Sequence, residues 1–219
     1  MKTVYFVRHG ESESNAGFQT YQGEASKLTE RGREQAQVIA ARCAKLPVDA
    51  LIVSSAVRAK ETAEVIARAI KKAPIIESLF TERKSPRQLI GKSRSDPGAR
   101  ALERKWLDSC FQDDVRVGTG ENFTDLKSRG TQALEYLQNR PESNLLVVSH
   151  GFFLHVIAAL VLLGGTLTAE EFGRFGRQIW TDNTGLFLLE YREEPFITVH
   201  QTAYSGWILR VWNDHAHLG

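Results

Sequence analysis

The sequence is poor in cysteine and nearly balanced in charge, and both features exclude classes of protein. Its two cysteines, Cys43 and Cys110, lie far apart and have no CxxC spacing. They predict free thiols in a reducing compartment rather than a disulfide framework. The formal net charge of +2 is too small to indicate a nucleic-acid-binding protein. No nucleic-acid partner is therefore expected.

The chain also lacks a long uninterrupted apolar segment. Its most apolar run, residues 152–163, contains His155 and is shorter than the roughly 20 residues that cross a bilayer. The N-terminus passes from Met1 directly into a strand-like pattern, without the apolar segment and small-residue cleavage site of a signal peptide. We therefore expect no membrane association and a cytoplasmic location.

What remains is the composition of an ordinary globular protein, with 42% hydrophobic and 25% charged residues. A length of 219 residues suits one α/β domain covering residues 1–219, and we find no repeats, linkers or low-complexity segments. The composition gives no indication of the oligomeric state.

Two apolar runs end in the same way, with a histidine followed by glycine. Residues 4–7 lead into Arg8 and His9, and residues 145–148 lead through a serine into His150. Uninterrupted apolar runs of this length are typical of buried parallel strands. Because the carboxyl ends of parallel strands meet at one edge of a sheet, we expect the two imidazoles to lie close together.

A third apolar run, residues 50–53, precedes a predicted helix with Ser55 as its N-cap and Arg58 in its first turn. A cation is disfavoured at the positive end of the helix dipole. Arg58 is well placed there if both it and the helix N–H groups face an anion, since helix N-termini bind phosphate. The alternative is an arginine exposed to solvent.

Strand and helix patterns alternate along the chain, which predicts a three-layer α/β/α sandwich with a mostly parallel sheet. Thr29 is the predicted N-cap of the first helix. Near the C-terminus, residues 184–191 and 196–202 are predicted as two closing strands separated by a charged turn. Further helices are predicted over residues 98–111, 123–137 and 151–164.

Residues 83–118 interrupt this alternation and are predicted to form a partly helical lid insertion. Eight basic and two acidic residues lie between Arg83 and Lys105, among prolines and glycines that break regular structure. The basic excess either attracts an anionic substrate or forms an ordinary solvated surface.

The three strand ends together predict a cationic pocket with imidazole at its centre, which suits a phosphoryl group. A neutral imidazole can attack phosphorus and form a phosphohistidine, and neighbouring arginines favour the neutral ring. The leaving oxygen then needs a proton, for which Glu82 is the leading candidate. Three other acids remain open for that role: Glu61, Glu121 and Asp182.

The motifs together resemble the histidine phosphatase superfamily, the phosphoglycerate mutase-like fold. The similarity spans nearly the whole chain and rests on Arg8-His9-Gly10-Glu11-Ser12, Asn15, Arg58, Glu82-Arg83 and Ser149-His150-Gly151. It implies His9 as the phosphorylated nucleophile, Glu82 as proton donor and acceptor, and no metal or other cofactor. It implies a small phosphorylated substrate as the partner. Candidate phosphate or substrate contacts are Arg8, Asn15, Gly23, Arg58, His150 and Gly151.

The sequence departs from mutase-like members in two places. Residues 23–29 read Gly-Glu-Ala-Ser-Lys-Leu-Thr, where mutase-like members usually have an acidic residue before the Leu-Thr helix start. In addition, Lys84-Ser85-Pro86 replaces an aromatic-glycine continuation. These departures favour a hydrolase over a mutase. A phospho-ligand-binding module without activity and a metallohydrolase remain as alternatives.

The C-terminal residues His215 and His217 form a His-x-His pattern beside an aspartate. Such residues are suitable metal ligands, but without a third remote ligand the pattern is weak. A tail that folds over the pocket is the other hypothesis for this segment.

Overall fold

A six-stranded sheet forms the centre of the molecule. The computed structural model describes residues 1–198 and 200–218. The strands are β1 (Lys2–Arg8), β2 (Ala50–Val53), β3 (Pro74–Ile76), β4 (Asn144–Ser149), β5 (Leu186–Ile197) and β6 (Ala203–Asp214). Their order in the sheet is β3-β2-β4-β1-β5-β6. The first four are mutually parallel, while β5 runs antiparallel to β1 and to β6, which confirms a mostly parallel sheet.

Helices cover both faces of this sheet. The helices are α1 (Glu30–Cys43), α2 (Val57–Ile70), α3 (Pro97–Asp108), α4 (Phe123–Gln138), α5 (Gly151–Leu163) and α6 (Ala169–Gly176). On one face α1 and α2 pack through residues such as Ile39 and Ile66, and on the other α4 and α5 pack through Leu126 and Phe153. The predicted three-layer α/β/α architecture is therefore confirmed.

The sheet order brings the three predicted strand ends together. Val148 of β4 is paired with Val53 of β2 on one side and with Val7 of β1 on the other. All three valines are fully buried, as expected for parallel strands covered on both faces. The residues that follow these strands consequently share one edge of the sheet.

The helix starts follow capping chemistry only in part. Thr29 caps α1 as predicted, since its Oγ1 accepts a hydrogen bond from the Gly32 N–H at 3.0 Å. The prediction of Ser55 as the N-cap of α2 is wrong, because the helix begins one residue later and Ala56 occupies that position. Ser54 accepts from the Ala56 N–H at 3.3 Å instead.

The predicted closing strands are also wrong in their boundaries. Residues 192–195, predicted as a turn, continue β5, and the hairpin turn lies between Ile197 and Ala203, with residue 199 outside the described residues. The charged residues are accommodated because this end of the hairpin is exposed, and Arg192 and Arg210 both pair with Glu190. This part of β5 buries little surface, so it forms a strand without the alternation of apolar and polar residues that marks a half-buried strand in a sequence.

The C-terminal segment is anchored rather than draped over the pocket. Asp214 ends β6 and forms an ion pair with Arg42 of α1. His217 Nε2 lies 3.1 Å from Thr184 Oγ1, and His215 lies 3.4 Å from an Asp182 oxygen. Within residues 1–198 and 200–218, no group of three or more side chains suited to holding a metal ion is found.

No element is predicted from the sequence between residues 165 and 183, where the structure has α6. A capping box of Thr168 and Glu171 starts this helix and was visible in the sequence as a T-x-x-E pattern. In the part of the chain that the structure describes, no helix combines the length and apolar character needed to cross a membrane.

Candidate active site

His9 leaves the end of β1 as a buried imidazole with a defined tautomer. Its Nδ1 lies 2.7 Å from the carbonyl oxygen of Gly10. A carbonyl only accepts hydrogen bonds, so Nδ1 carries the proton and Nε2 of the neutral ring presents a lone pair. The ring is thus arranged so that Nε2 is its nucleophilic atom.

The surroundings of His9 keep it neutral. The residue is 2% exposed, and burial lowers the pKa of His9 well below its usual value, with further lowering by the Arg58 and Arg8 guanidinium groups. An uncharged ring is the form able to attack an electrophile.

Arg58 connects α2 to the imidazole. Its Nε donates to His9 Nε2 at 3.0 Å, and its Nη1 donates to the carbonyl oxygen of Gly23 at 3.0 Å. Burial lowers the pKa of Arg58, and the Glu82 carboxylate works in the opposite direction. The solvent-exposed alternative for Arg58 is therefore wrong, because the side chain is buried against the histidine.

His150 lies beside His9, with 5.0 Å between the ring centroids. Its Nε2 is 2.7 Å from Ser54 Oγ, which already accepts from a backbone N–H and has its own proton left to donate. When the Ser54 hydroxyl donates to Nε2, the neutral His150 ring carries its proton on Nδ1. Among the described residues, this buried Nδ1 has no hydrogen-bond partner, so in that tautomer it is a donor available to a ligand.

Arg8 supplies a second cation at the same strand end. Its Nη1 donates to the Thr181 carbonyl, while its buried Nε has no partner within residues 1–198 and 200–218. Gly151 allows this arrangement, because a Cβ added there would lie 3.2 Å from Arg8 Nε. Glycine at the first position of α5 therefore gives the guanidinium room.

Glu82 sits at the N-terminus of α5. Its Oε1 accepts from the N–H groups of Phe153 and Arg83, both at 3.0 Å, and its Oε2 accepts from the Phe152 N–H at 3.3 Å. Unpaired N–H groups at a helix start are natural partners for a carboxylate. The half-buried carboxylate acts electrostatically on Arg8 and Arg58, raising the pKa of each against the larger lowering by burial.

A buried ion pair positions the segment that carries Glu82. Arg129 of α4 binds both carboxylate oxygens of Glu121, at 2.7 and 2.8 Å. The same guanidinium donates to the carbonyl oxygens of Leu79 and Thr81, each at 2.8 Å. Glu121 is thereby committed to a structural role.

The remaining two candidate acids have partners of their own. Glu61 accepts from the Leu28 N–H at 2.6 Å, and Asp182 accepts from the side chains of Asn213 and Trp180. Of the four acids considered, Glu82 is the one that lines the cavity beside Arg58.

This cavity has a volume of about 400 Å³ and is bordered by Arg58 and Glu82, whereas Arg8, His9 and His150 are not among its lining residues. The insertion and the loop after β1 form its outer wall, joined by backbone hydrogen bonds between Tyr21 and residues 91 and 92. The side chains that border it are Ser14, Tyr21, Gln22, Glu24, Arg58, Glu82, Arg83, Lys84, Ser85, Leu89, Ile90, Arg94, Glu103 and Trp106, together with Gly23.

Gly23 and Asn15 both lie in the segment between β1 and α1. Gly23 has φ of +58°, a backbone conformation that favours glycine, and an added Cβ would lie 2.8 Å from Ile90 Cδ1, so the Ile90 side chain would have to shift. The exposed Asn15 accepts from Ser12 N–H and Oγ through its Oδ1, and from Asn183 at 3.4 Å. It supports the loop rather than contacting His9.

Most basic residues of the insertion point away from the cavity. Of the eight noted in the sequence, the cavity is bordered by Arg83, Lys84 and Arg94. Arg83 is 5% exposed and donates to the carbonyl oxygens of Glu121 and Trp106, so it fastens the insertion to the main fold. A solvated surface therefore describes most of this basic excess.

Several supporting residues were missed by the sequence analysis. Thr62 accepts from the Gly10 N–H at 3.1 Å, and Asn183 donates to the His9 carbonyl oxygen at 3.0 Å. Ser54, at the end of β2, is hydrogen bonded to His150. Thr62 follows Arg58 by one helical turn, which was a usable signal, whereas no local pattern marked Asn183.

His155 of α5 contacts Thr181 Oγ1 through Nε2 at 2.7 Å. Burial, followed by the charge of Arg8, lowers its pKa to about 4. The carbonyl oxygen of Thr181 also accepts from Arg8, so His155 helps to position Arg8 through Thr181.

The chain is similar in sequence or in fold to several known proteins. A protein from Photorhabdus laumondii described as a probable phosphoglycerate mutase is 31% identical, with 100% of this chain and 95% of that protein covered. The fold is similar to Bacillus stearothermophilus YhfR, with a TM-score of 0.78, 22% identity and full coverage of both chains. It is also similar to an Entamoeba histolytica phosphoserine phosphatase bound to phosphoserine, with a TM-score of 0.71, 21% identity and full coverage of both chains.

The family profile of the histidine phosphatase superfamily, branch 1, matches residues 4–203. This range contains both histidines, both arginines and Glu82. The chain therefore belongs to branch 1 of the histidine phosphatase superfamily.

Proposed function

We propose that the protein is a metal-independent phosphatase that hydrolyses phosphomonoesters through a phosphohistidine on His9. The observation that carries this proposal is the neutral, Nδ1-protonated His9 ring with Nε2 held by Arg58 at 3.0 Å. A buried imidazole with its lone pair beside cationic donors suits attack on a phosphoryl group.

Binding of the phosphate would redirect the Arg58 hydrogen bond away from His9 Nε2 as well as position the substrate. Arg58 now donates to Nε2, and a phosphoryl oxygen is a stronger acceptor for the same guanidinium. When Arg58 donates to that oxygen, the Nε2 lone pair is free to attack. Arg8 Nε and His150 Nδ1, which are buried donors without partners among the described residues, would bind the remaining charge.

Glu82 would complete the reaction as general acid and base. As the bond from phosphorus to the ester oxygen breaks, the protonated carboxyl gives its proton to the leaving oxygen. In the second step the carboxylate removes a proton from water, which attacks the phosphohistidine and releases inorganic phosphate. Its place in the cavity wall near both arginines supports this role.

The remaining assignments follow from the same site. We propose that the substrate is a small phosphorylated molecule, in keeping with a cavity of about 400 Å³. Gly23 and Asn15 would act by shaping the loop around Arg58 and Ser12. The chain would work as one domain with residues 83–118 as an insertion over the cavity, and the buried free thiols favour the cytoplasm.

A mutase is the second candidate, favoured by the name of the relative that is 31% identical. It would use the same residues and return the phosphoryl group to another hydroxyl instead of water. We expect inorganic phosphate to be the main product when phosphorus NMR follows the reaction with a phosphoester that carries a second hydroxyl. A phosphate regioisomer as main product would favour the mutase.

The same assay distinguishes a phosphatase from a binding module and from a metallohydrolase. Tight binding of phosphoesters without product formation would indicate a binding module. Loss of turnover on chelation, with recovery on addition of a divalent metal, would indicate a metallohydrolase. Turnover that is unchanged by chelators supports the proposed mechanism.

We predict that Ser54→Ala lowers kcat/KM about 10- to 100-fold, because His150 loses the hydrogen bond that fixes its tautomer. Nitrogen NMR of the imidazoles should then detect a mixture of the Nδ1–H and Nε2–H tautomers of neutral His150, whereas we expect the proton on Nδ1 in the wild type. Ser55→Ala is the control, since the neighbouring serine has no contact with His150 and its hydroxyl lies 3.4 Å from Glu24. A single unchanged tautomer in Ser54→Ala would contradict the role of Ser54.

A further inference from the structure

The turn that precedes β5, residues 181–184, supports both Arg8 and His9. The carbonyl oxygen of Thr181 accepts from Arg8 Nη1, and the Thr184 N–H donates to the Arg8 carbonyl oxygen at 3.0 Å. The asparagine of the turn donates through its side chain to the His9 carbonyl oxygen at 3.0 Å. The position of this turn therefore affects both the direction of the Arg8 guanidinium and the place of the His9 main chain.

Thr184 holds a backbone conformation that threonine rarely adopts. Its φ is +60°, in the left-handed region that favours glycine, and its branched side chain makes that conformation unfavourable. The residue is fully buried. A conformation of this kind persists only where the surrounding contacts hold it in place. The contacts of the Thr184 side chain therefore help to maintain the whole turn.

His217, in the segment after β6, makes such a contact with its ring. Its Nδ1 lies 3.2 Å from Arg42 Nη1, and because a guanidinium only donates, Nδ1 accepts and Nε2 carries the proton. The Thr184 hydroxyl donates its proton to the Asn183 carbonyl oxygen at 2.6 Å, so it accepts from His217 Nε2 at 3.1 Å. Both sides of the ring thus require the same neutral tautomer.

An ion pair fixes the far side of the His217 ring. Arg42 donates to both carboxylate oxygens of Asp214 while its Nη1 also donates to His217. Burial lowers the pKa of His217, and the charge of Arg42 lowers it further, with Asp214 acting in the opposite direction. The half-buried ring is therefore held as a neutral donor that faces Thr184.

We propose that His217 is a positioning residue for Arg8 and His9, acting through the Thr184 hydroxyl and the turn. It does not touch the substrate. Its hydrogen bond helps to hold the turn in the conformation in which Arg8 and His9 are arranged for a phosphoryl group. The inference rests on the proposed function, because small displacements of preorganised donors and nucleophiles lower the rate of the reaction that they serve.

Two substitutions at His217 separate this role from simple anchoring of the segment. The amide nitrogen of glutamine reaches the place of Nε2, so His217→Gln keeps the donor to Thr184 and loses the acceptor for Arg42. The shorter asparagine places its amide oxygen near the place of Nδ1, so His217→Asn keeps that acceptor and loses the donor. We expect kcat/KM for p-nitrophenyl phosphate to fall about 10-fold in His217→Asn and less than about 3-fold in His217→Gln. Equal losses, or a larger loss in His217→Gln, would overturn the inference.

Binding of inorganic phosphate tests the same role without turnover. Calorimetry should give a dissociation constant about 3- to 10-fold higher in His217→Asn than in the wild type, because Arg8 is less well placed. His200→Ala, which removes an exposed histidine from the β5–β6 hairpin turn, is the control and should bind phosphate as the wild type does. A wild type that binds phosphate but hydrolyses no ester would refute the proposed function and leave this difference measurable. Unchanged binding in His217→Asn would contradict the positioning role.

The connection through Thr184 is tested by combining substitutions. Thr184→Val keeps the branched shape and removes the hydroxyl, so adding His217→Asn to it should cost less than about twofold more in kcat/KM. Losses that multiply in the double variant would mean that His217 acts by another route.

Nitrogen NMR of the imidazoles reports on the same hydrogen bond directly. We expect one tautomer of His217 in the wild type, with the proton on Nε2, and a mixture of the two neutral tautomers in Thr184→Val. A proton on Nδ1 in the wild type would overturn the inference, since His217 would then have no proton to donate to Thr184.

Discussion

His9→Ala is expected to lower phosphate release by at least about 10⁴-fold, because no other group in the site can take the place of the nucleophile. The imidazole is held by Gly10 and Arg58 with Nε2 beside the cationic donors. The neighbouring His150 directs Nε2 toward Ser54 and so cannot attack in its place. The measurement is the release of inorganic phosphate from p-nitrophenyl phosphate under saturating conditions.

A covalent intermediate gives this experiment a second readout. Rapid quenching of the wild type under alkaline conditions with a radiolabelled substrate should trap acid-labile phosphate on His9, and none should be trapped in His9→Ala. His200→Ala removes an exposed imidazole from the hairpin turn and should behave as the wild type. Full turnover in His9→Ala would refute the covalent mechanism.

The pH dependence of turnover tests whether the pKa of His9 is lowered. Because burial and the two arginines lower the pKa of His9 well below 6.5, the ring stays neutral as the pH falls through the range where a free histidine gains a proton. Loss of activity around pH 6.5 should therefore not arise from protonation of His9.

Glu82→Gln is expected to lower turnover about 10²- to 10⁴-fold for esters with poor leaving groups such as alkyl phosphates. An alkoxide needs a proton as it departs, whereas p-nitrophenolate leaves without one. The variant keeps the shape of the side chain, and its amide oxygen can replace Oε1 as the acceptor for the N–H groups of Phe153 and Arg83, while the longer contact of Oε2 with the Phe152 N–H is lost. The loss should therefore reflect proton transfer more than folding.

The role of Glu82 is tested by the ratio of two losses in turnover, one measured with an alkyl phosphate and one with p-nitrophenyl phosphate. Turnover of p-nitrophenyl phosphate should fall much less than turnover of an alkyl phosphate, with water activation in the second step as the shared component. Glu64→Gln, on the exposed face of α2, is the control for a glutamate outside the site. Equal losses for both substrates would argue against Glu82 as the general acid.

Much of the fold and the centre of the site were determined locally by the sequence. Residues 4–7, 50–53 and 145–148 are continuous apolar runs, so they become buried parallel strands wherever the rest of the chain allows it. The residue after each run must then emerge at the carboxyl edge. That is why His9, His150 and the nearby Arg58 could be grouped from the sequence alone.

Local patterns failed where a segment buries little apolar surface. The charged end of β5 is a strand because it pairs with β6, and nothing in its own alternation indicates this. The N-cap of α2 moved to Ala56 because Ser54 and the chain before it are fixed by β2 and His150. In both places tertiary pairing outweighed the local preference.

The tertiary structure alone decided which atoms of these residues are chemically available. The tautomer of His150 depends on Ser54, 96 residues away, and the carbonyl of His9 is held by Asn183, 174 residues away. The sequence determined that two imidazoles and two arginines meet at one sheet edge, because strand burial is a local property. Which proton each ring carries, and which charges line the outer cavity, depends on contacts between distant segments that only the folded chain brings together.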